Sequence, residues 1–271
     1  MSQLQKLESK NLTWFPVSEK QPILDKISAS FMSGKFYGII GPNGSGKSSF
    51  VRHILNFLKH TKGSVCLNGK EVECYSRLEL AKNLALVPQN TSIDTSFSAY
   101  EIVSMGRNPY QKRFGGETKE DIHKVTEAMK MTSCLEFKDK PFRNLSGGEA
   151  QRVIVARAIA QDTPWLLLDE PISNLDIRHQ LELMETLKKL NSERKTSILA
   201  ILHDINLAVS YCSDIIMMKE GQIKYMGETL EVLTCERLFE VYGVQFLKIS
   251  HPETKKPYFL AQYSSSVELA D

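Results

Sequence analysis

One glycine-rich octapeptide limits the folds open to this chain more than any other segment. It reads Gly-Pro-Asn-Gly-Ser-Gly-Lys-Ser at residues 41–48, between an apolar run at 36–40 and a segment with helical spacing at 49–55. Strand, tight glycine loop and helix in this order form a phosphate-binding loop, because the loop points backbone N–H groups inward and the helix adds its positive N-terminal end. The segment therefore predicts a nucleoside triphosphate site.

The residue types of the loop assign contacts to the predicted site. Lys47 would reach the β- and γ-phosphates, and the Ser48 hydroxyl would ligate Mg²⁺. We expect the Lys47 side chain to be solvated when no ligand is bound. The predicted nucleotide-binding residues are Gly41, Pro42, Asn43, Gly44, Ser45, Gly46, Lys47, Ser48 and Ser49. A plain glycine turn is the alternative, and the agreement of strand, loop and helix disfavours it.

Length and composition narrow the class of protein. The chain has 271 residues, 42% of them hydrophobic, enough for one large domain or a core with a subdomain. A net charge of +2 argues against non-specific nucleic-acid binding. The cysteines never occur as C-x-x-C, which favours a reducing compartment over disulfides or zinc; they are Cys66, Cys74, Cys134, Cys212 and Cys235. With no signal peptide and apolar runs far below the ~20 residues of a membrane span, we expect a soluble, cytosolic protein.

The order of predicted elements indicates the architecture. Residues 4–35 read as an antiparallel ribbon with a turn near residues 18–22, and residues 68–69 (Asn-Gly) are a hairpin signal. Helical periodicity dominates residues 90–145, after which strands and helices alternate. This order predicts an α/β fold with a mostly parallel sheet covered on both faces and an inserted helical subdomain.

The domain organisation follows from these elements. We predict one main domain over residues 1–243, with the helical subdomain inserted at about 90–145. Residues 244–271 have weak patterning and include three consecutive serines, so we expect a small appendage with a loose tail.

Two adjacent carboxylates follow a buried strand. The segment 165–168 is wholly apolar and leads directly into Asp169 and Glu170. A strand that ends in an acid delivers the charge to the edge of an open α/β sheet where ligands bind. Asp169 would orient the Mg²⁺ shell, and Glu170 would polarise the attacking water as a general base.

A second glycine-bearing helix start lies at residues 145–149, Leu-Ser-Gly-Gly-Glu. Ser146 and Glu149 have the spacing of a capping box. Capping alone does not explain two glycines, since each weakens a helix by nearly ~1 kcal/mol. An anion that approaches the backbone closely would explain them.

Together these segments resemble the ATP-binding cassette (ABC) ATPases. The matching motifs lie at residues 41–48, 145–149, 168–170 and 202–204, and the resemblance covers roughly residues 6–242. It implies a P-loop core of the ABC ATPase fold that binds ATP and Mg²⁺. It also implies a head-to-tail dimer with a second copy, in which each ATP is contacted in trans by Ser146, Gly147, Gly148 and Glu149.

Further site residues are carried over from the resemblance one at a time. Gln89 matches a glutamine that touches Mg²⁺ and the attacking water, and His203 matches a switch histidine that contacts the γ-phosphate. Residues 173–176 match a loop that packs across the dimer. The aromatic residue that stacks on adenine has two candidates, Trp14 and Phe15, of which Phe15 is our choice.

Departures from the family pattern are few. Ile172 stands where threonine is commoner, and Ala150 stands where a longer polar residue is usual. Neither position is expected to touch the phosphates or the metal.

The spacing of the motifs favours a transporter subunit. Only about 98 residues separate the phosphate loop from the signature, too few for the long coiled coil of DNA-repair cassettes, and no membrane span is fused. Residues 101–110, with the run Gly-Arg-Asn-Pro-Tyr, and residues 202–206 resemble the subfamily that imports iron–siderophores, haem and cobalamin. The resemblance implies integral permease subunits, an extracytoplasmic substrate-binding protein and a place on the cytoplasmic face of the cell membrane. An importer of another solute and a soluble non-transport ATPase remain the alternatives.

Overall fold

A computed structural model describes residues 5–16, 20–89, 95–111, 116–173 and 175–262. The strands are β1 (Lys6–Trp14), β2 (Leu24–Met32), β3 (Phe36–Ile40), β4 (Lys62–Leu67), β5 (Lys70–Glu71), β6 (Leu84–Val87), β7 (Trp165–Leu168), β8 (Ser197–Ile201), β9 (Asp214–Lys219), β10 (Gln222–Glu228), β11 (Phe246–Ser250) and β12 (Pro257–Ala261). The α-helices are α1 (Lys47–Ile54), α2 (Arg77–Ala81), α3 (Ala99–Ser104), α4 (Lys119–Met131), α5 (Gly147–Ala160), α6 (Ile177–Arg194), α7 (Ile205–Tyr211), α8 (Thr229–Val232) and α9 (Cys235–Tyr242). Residues 18 and 19 of the turn expected near residues 18–22, the start of the subdomain at 90–94, Asn174 and the serine-rich tail lie outside the described residues.

The central sheet has six strands in the order β10-β9-β3-β8-β7-β6. All neighbours are parallel except β10, which pairs antiparallel with β9. Every residue of β3, β7 and β8 is buried. Their side chains alternate between two hydrophobic clusters, one on each face of the sheet. The predicted α/β fold with a mostly parallel, doubly covered sheet is confirmed.

A separate antiparallel sheet, in the order β2-β1-β4-β5, contains the predicted ribbon. Buried and exposed residues alternate along β2, as expected for a sheet with one face on the core. The turn between β4 and β5 has Asn68 and Gly69 at φ 54° and 80°, which confirms the hairpin predicted from this pair.

The predicted subdomain is helical and packs on the side of the core. Helices α3 and α4 both contact α5, and each begins with a capping box, Ser98 with Glu101 and Thr118 with Asp121. These caps satisfy N–H groups that a short helix cannot pair internally. None of the helices in the described part of the chain is long and apolar enough to cross a bilayer.

The last described residues form a hairpin of β11 and β12, paired in continuous register from Phe246↔Ala261 to Ser250↔Pro257. Phe259 of β12 is buried in the main hydrophobic cluster. The hairpin thus packs on the body of the protein through one face. Its division from residues 1–243 as an appendage stays a prediction.

Candidate functional site

The predicted site residues meet at one edge of the central sheet. The phosphate loop follows β3, His203 lies just beyond β8, Asp169 and Glu170 follow β7, and Gln89 lies just beyond β6. These four strands are parallel neighbours in the order β3-β8-β7-β6, so their carboxyl ends open on the same edge.

The phosphate loop keeps its shape through two glycines at positions of close approach. A Cβ on Gly41 would lie 2.1 Å from the Met218 carbonyl oxygen, and one on Gly46 would lie 2.9 Å from the Ile23 carbonyl oxygen. Gly46 is also the residue before α1, at φ 94°, and no side chain caps the helix. The N-terminal end of α1 is therefore bare of side-chain acceptors, as an anion-binding helix end requires.

Lys47 differs from the expectation drawn from the sequence. It is only 5% exposed, and its ammonium group donates to the carbonyl oxygens of Gly41 and Pro42, each at 2.9 Å. Burial lowers the pKa of Lys47, while the charges of Glu170 and Asp169 act to raise it. The expectation of a solvated lysine was wrong, because the curled loop turns its own carbonyl groups toward the ammonium group.

Ser45 adds a second polar group to the loop. It is 1% exposed, and its hydroxyl has no hydrogen-bond partner among the described residues. A buried hydroxyl without a partner is costly unless a ligand supplies one. This side chain therefore fits a loop that holds phosphate oxygens.

Ser48 and Asp169 form the oxygen donor set expected for Mg²⁺. The Ser48 hydroxyl donates to Asp169 Oδ1 at 2.7 Å. Burial raises the pKa of Asp169, and this hydrogen bond acts against the rise. Hydroxyl and carboxylate oxygens are ligands that Mg²⁺ prefers, and it commonly takes only one or two carboxylates together with substrate phosphates. No cluster of three His, Cys, Asp or Glu among the described residues could hold a metal alone. The residues therefore fit a metal that arrives with a phosphate substrate.

Glu170 is held between two side chains from neighbouring strand ends. Gln89 Nε2 donates to Glu170 Oε2 at 2.6 Å, and His203 Nε2 lies 2.7 Å from Glu170 Oε1. The Glu170 side chain is 14% exposed, whereas that of His203 is 44% exposed. The carboxylate is thus fixed in place at an edge that solvent can reach. Gln89 contacts Glu170, and its predicted contact with Mg²⁺ stays a prediction.

The signature segment forms a second helix start, at the beginning of α5. The Ser146 hydroxyl accepts from the Glu149 N–H at 3.3 Å, and Glu149 Oε2 accepts from the Ser146 N–H at 2.7 Å. A Cβ on Gly147 would meet nothing within 4 Å, and one on Gly148 would make only an ordinary contact with Leu175. The capping box is confirmed, yet nothing in the described chain requires either glycine.

Gln151 is a site residue that the sequence reasoning missed. It is 2% exposed, and its side-chain amide donates to the Pro171 carbonyl oxygen at 2.7 Å. This bond ties the signature helix to the segment that directly follows Glu170. A polar residue on the buried face of a helix pattern was the only signal available for it.

The aromatic candidates for base stacking differ in their surroundings. The Trp14 ring packs edge-on against His53 of α1, with centroids 5.2 Å apart. Phe15 is 36% exposed just beyond the end of β1. Phe15 therefore stays the prediction for the base contact.

At the two positions that depart from the family pattern, Ile172 is buried and Ala150 packs against the main hydrophobic cluster.

The Gly-Arg-Asn-Pro-Tyr run has a packing role that the sequence did not reveal. A Cβ on Gly106 would lie 2.2 Å from the Arg157 carbonyl oxygen of α5. Arg107 is 4% exposed; its Nε donates to Asp121 Oδ1 and its Nη1 donates to the Ala160 carbonyl oxygen, both at 2.9 Å. The run therefore joins the helical subdomain to the end of α5.

Comparison with known proteins identifies the family of this chain. The ABC transporter family matches residues 24–173. Over 238 residues, 88% of both chains, the protein is 37% identical to the iron(3+)-hydroxamate import ATP-binding protein FhuC of Bacillus subtilis (strain 168). It is 36% identical to the ferric enterobactin transport ATP-binding protein FepC of Escherichia coli (strain K12), with the same coverage. The dimeric ATP-binding cassette MJ0796 bound to ADP and Pi superimposes with a TM-score of 0.73 and 30% identity over 82% of this chain and 98% of that one. The resemblance seen in the sequence is confirmed, and the chain belongs to the ABC transporter family as one of its ATP-binding cassettes.

Proposed function

We propose that this protein hydrolyses ATP on the cytoplasmic face of the cell membrane and thereby powers an importer of metal chelates. The observation that carries the hydrolytic step is the placement of Glu170 between Gln89 and His203, beside the Ser48–Asp169 pair. A fixed carboxylate at this edge can accept a proton from an attacking water.

The other site residues bind and orient. The bare end of α1 and the Lys47 ammonium would hold the β- and γ-phosphates, and Ser48 and Asp169 would hold Mg²⁺. When bound, Mg²⁺ supplies charge neutralisation on the phosphate oxygens. His203, which is 44% exposed beside Glu170, would contact the γ-phosphate.

Glu170→Gln tests the hydrolytic step. Glutamine keeps the size of the side chain but cannot serve as the general base, so we expect ATP binding without turnover and an ATP-dependent dimer in size-exclusion chromatography. The matched control is Glu73→Gln, which alters an exposed glutamate paired with His60 and should leave turnover unchanged. Wild-type turnover in Glu170→Gln would refute the assignment.

We also propose a head-to-tail dimer in which the start of α5 completes the ATP site of a second copy. The two glycines at this start leave backbone accessible, and nothing in the described single chain requires them. No hydrogen bond among the described residues joins residues 146–149 to residues 41–48. In the proposed dimer, residues 146–149 of one copy would lie against residues 41–48 of the other. MJ0796, with which this chain superimposes, is a dimeric cassette.

A groove between the core and the helical subdomain is our proposed permease-docking site. It encloses about 950 Å³ and combines apolar walls with basic residues; among its lining residues are Phe57, Leu80, Leu86, Met105, Arg77 and Arg157. Phe57 is 65% exposed. An exposed aromatic residue beside basic groups fits an amphipathic helix that carries an acidic residue.

Phe57→Asp tests the groove. It should abolish co-purification with the permease, because a carboxylate would have to be buried in the contact. The matched control is Leu230→Asp, which alters a leucine that is 57% exposed on α8 and does not line the groove. Equal permease recovery with both variants would place the docking site elsewhere.

The proposed cargo is an iron–siderophore, haem or cobalamin, delivered by an extracytoplasmic substrate-binding protein. FhuC and FepC are named for iron-hydroxamate import and ferric enterobactin transport, which supports the metal-chelate class. Deletion of the gene should abolish energised uptake of one labelled chelate and leave uptake of sugars, amino acids and phosphate intact. If only the uptake of another solute were lost, the result would favour an importer of that solute. If the deletion caused no transport defect, the result would favour a non-transport ATPase.

A further inference from the structure

The side chain of Asn206 joins α7 to the hairpin of β11 and β12. Asn206 Nδ2 donates to the Phe259 carbonyl oxygen at 3.0 Å, and the Phe259 N–H donates to Asn206 Oδ1 at 2.8 Å. The side-chain amide thus uses both of its polar atoms on one residue of β12, as the backbone of a neighbouring strand would. It satisfies the edge of β12 that does not pair with β11.

Two further contacts hold the hairpin against the same helix. The Phe259 side chain is 3% exposed and belongs to the main hydrophobic cluster. Lys256 Nζ donates to the carbonyl oxygens of Val209 at 3.4 Å and Ser210 at 3.0 Å. A lysine at these carbonyl groups satisfies acceptors that the end of a helix leaves unpaired. The hairpin therefore contacts both the first and the last turn of α7.

Asp204, the residue directly after His203, caps the first turn of α7. Asp204 Oδ1 accepts from the N–H groups of Asn206 at 2.7 Å and Leu207 at 3.0 Å. His203 Nε2 in turn lies 2.7 Å from Glu170 Oε1. A continuous series of contacts therefore runs from Phe259 through Asn206 and Asp204 to the histidine at the site.

We propose that the β11–β12 hairpin fixes α7 through Asn206 and so keeps His203 in position against Glu170. Asn206 is a positioning residue in this proposal, because it acts through His203 and touches no substrate. The inference rests on the proposed roles of Glu170 and His203 in hydrolysis. Since α7 has only seven residues, loss of the Asn206 contacts frees its first turn to shift relative to Glu170.

The test measures kcat and KM for ATP in the full-length chain with Mg²⁺. Asn206→Ala removes both bonds to Phe259 and should lower kcat about tenfold, since small displacements of a catalytic group have costs of this order or larger. KM should stay within about twofold, since the α1 end and Lys47 are untouched. Asn206→Asp keeps the acceptor for the Phe259 N–H but loses the donor, so its kcat should be intermediate.

Asn191 provides a matched control for loss of stability alone. Its side-chain amide donates to the carbonyl oxygens of Gly34 at 3.1 Å and Thr196 at 2.8 Å, so Asn191→Ala also removes two bonds to backbone. It should lower Tm like Asn206→Ala while kcat stays within about twofold of the wild type. All assays are run below the lowest Tm of the set.

Two outcomes separate this inference from the proposed function. If Glu170→Gln is inactive while Asn206→Ala and Asn191→Ala have equal kcat, the hairpin has no positioning role and the hydrolytic assignment stands. If Glu170→Gln hydrolyses ATP normally, the proposed function fails and this inference fails with it.

Discussion

The beginnings of α1 and α5 are both glycine-bearing helix N-termini, yet they are built in opposite ways. At α1 the preceding residue is Gly46, and no side chain accepts from the first N–H groups. At α5 the preceding residue is Ser146, which forms a reciprocal pair with Glu149. The first N-terminus has its donors free for a ligand, whereas the second has two of them satisfied within the chain.

The difference indicates where each proposed phosphate contact would originate. The α1 end lies beside Lys47, Ser48 and Asp169 of the same chain, so one chain would supply most of the contacts in the proposed site. At α5 the Ser146 oxygen accepts from the Glu149 N–H, which leaves its hydroxyl hydrogen available to donate. The capping box therefore holds this helix end in shape, while in the proposed dimer the hydroxyl and the open glycines would face a phosphate of another copy.

Among the variants that test the two helix N-termini, Lys47→Ala should have the largest effect on ATP hydrolysis. ATP hydrolysis should fall below a few per cent of the wild type, because the loop loses its charge on the β- and γ-phosphates. Because Lys47 is buried and bonded to two loop carbonyl groups, Tm should fall as well. Hydrolysis is measured by phosphate release and Tm by calorimetry; substantial turnover would mean that the α1 end is not the phosphate site.

Mixing two inactive variants tests whether the α5 end serves a second copy. Ser146→Arg blocks the signature and Lys47→Ala disables the phosphate loop. A mixed dimer retains one site with an intact loop from one chain and an intact signature from the other. Some ATP hydrolysis should therefore return on equimolar mixing, up to about a quarter of the wild-type rate if the chains pair at random and the sites act independently. Wild-type activity of Ser146→Arg alone would show that the α5 end is not used in trans.

Ser146→Ala should combine a moderate loss of stability with a loss of activity. Removal of an N-cap typically costs about 1 kcal/mol of folding stability. Ser98→Ala is the matched control, because Ser98 forms the same capping box with Glu101 at α3. Urea unfolding should give similar losses for the two variants, but only Ser146→Ala should slow hydrolysis. Equal hydrolysis rates in Ser146→Ala and Ser98→Ala would show that Ser146 acts only as a helix cap.

The smallest expected effect is a difference in the pH at which the two helices lose stability, which His53 determines in α1 and Glu149 determines in α5. Burial lowers the pKa of His53 in α1, so stability is lost as pH falls below the unfolded value near 6.5. Hydrogen bonds from Ser146 lower the pKa of Glu149 at α5, so its contribution is present above about 4.5 and is lost as pH falls further.

Thermal unfolding between pH 7.5 and 5.5 isolates the histidine. The fall in Tm over this range should be smaller in His53→Gln than in the wild type. His123→Gln, which alters an exposed histidine of α4, should keep the wild-type slope. An unchanged slope in His53→Gln would assign the acid sensitivity to another group.

The parts of the molecule that local patterns specify were predicted well. The buried apolar runs predicted the parallel strands, and the Asn68–Gly69 pair predicted the hairpin of β4 and β5. The gathering of Asp169, Glu170 and His203 at one edge follows from strands that end there. The strands and the hairpin depend on residues close together in the chain, and the gathering of the site residues depends on the common direction of the parallel strands.

Features that depend on three-dimensional contacts rather than on a local pattern were missed. The burial of Lys47 depends on the curl of the loop, which brings the carbonyl groups of Gly41 and Pro42 to the ammonium group. The bond between Asn206 and Phe259 joins residues 53 positions apart, and no periodicity records it. The run that contains Arg107 was interpreted as a subfamily resemblance, whereas the buried contacts of Arg107 join the subdomain to the end of α5.

The backbone of Glu170 sets stability against activity at a single position. Glu170 has φ 52°, in the left-handed region that non-glycine residues adopt at a cost of about 1–2 kcal/mol. Glycine would relieve this cost, so Glu170→Gly should unfold at a higher temperature than Glu170→Ala, the reverse of the usual order. A screen that ranked truncations at this position by stability alone would therefore place glycine above alanine, although the proposed hydrolysis requires the carboxylate.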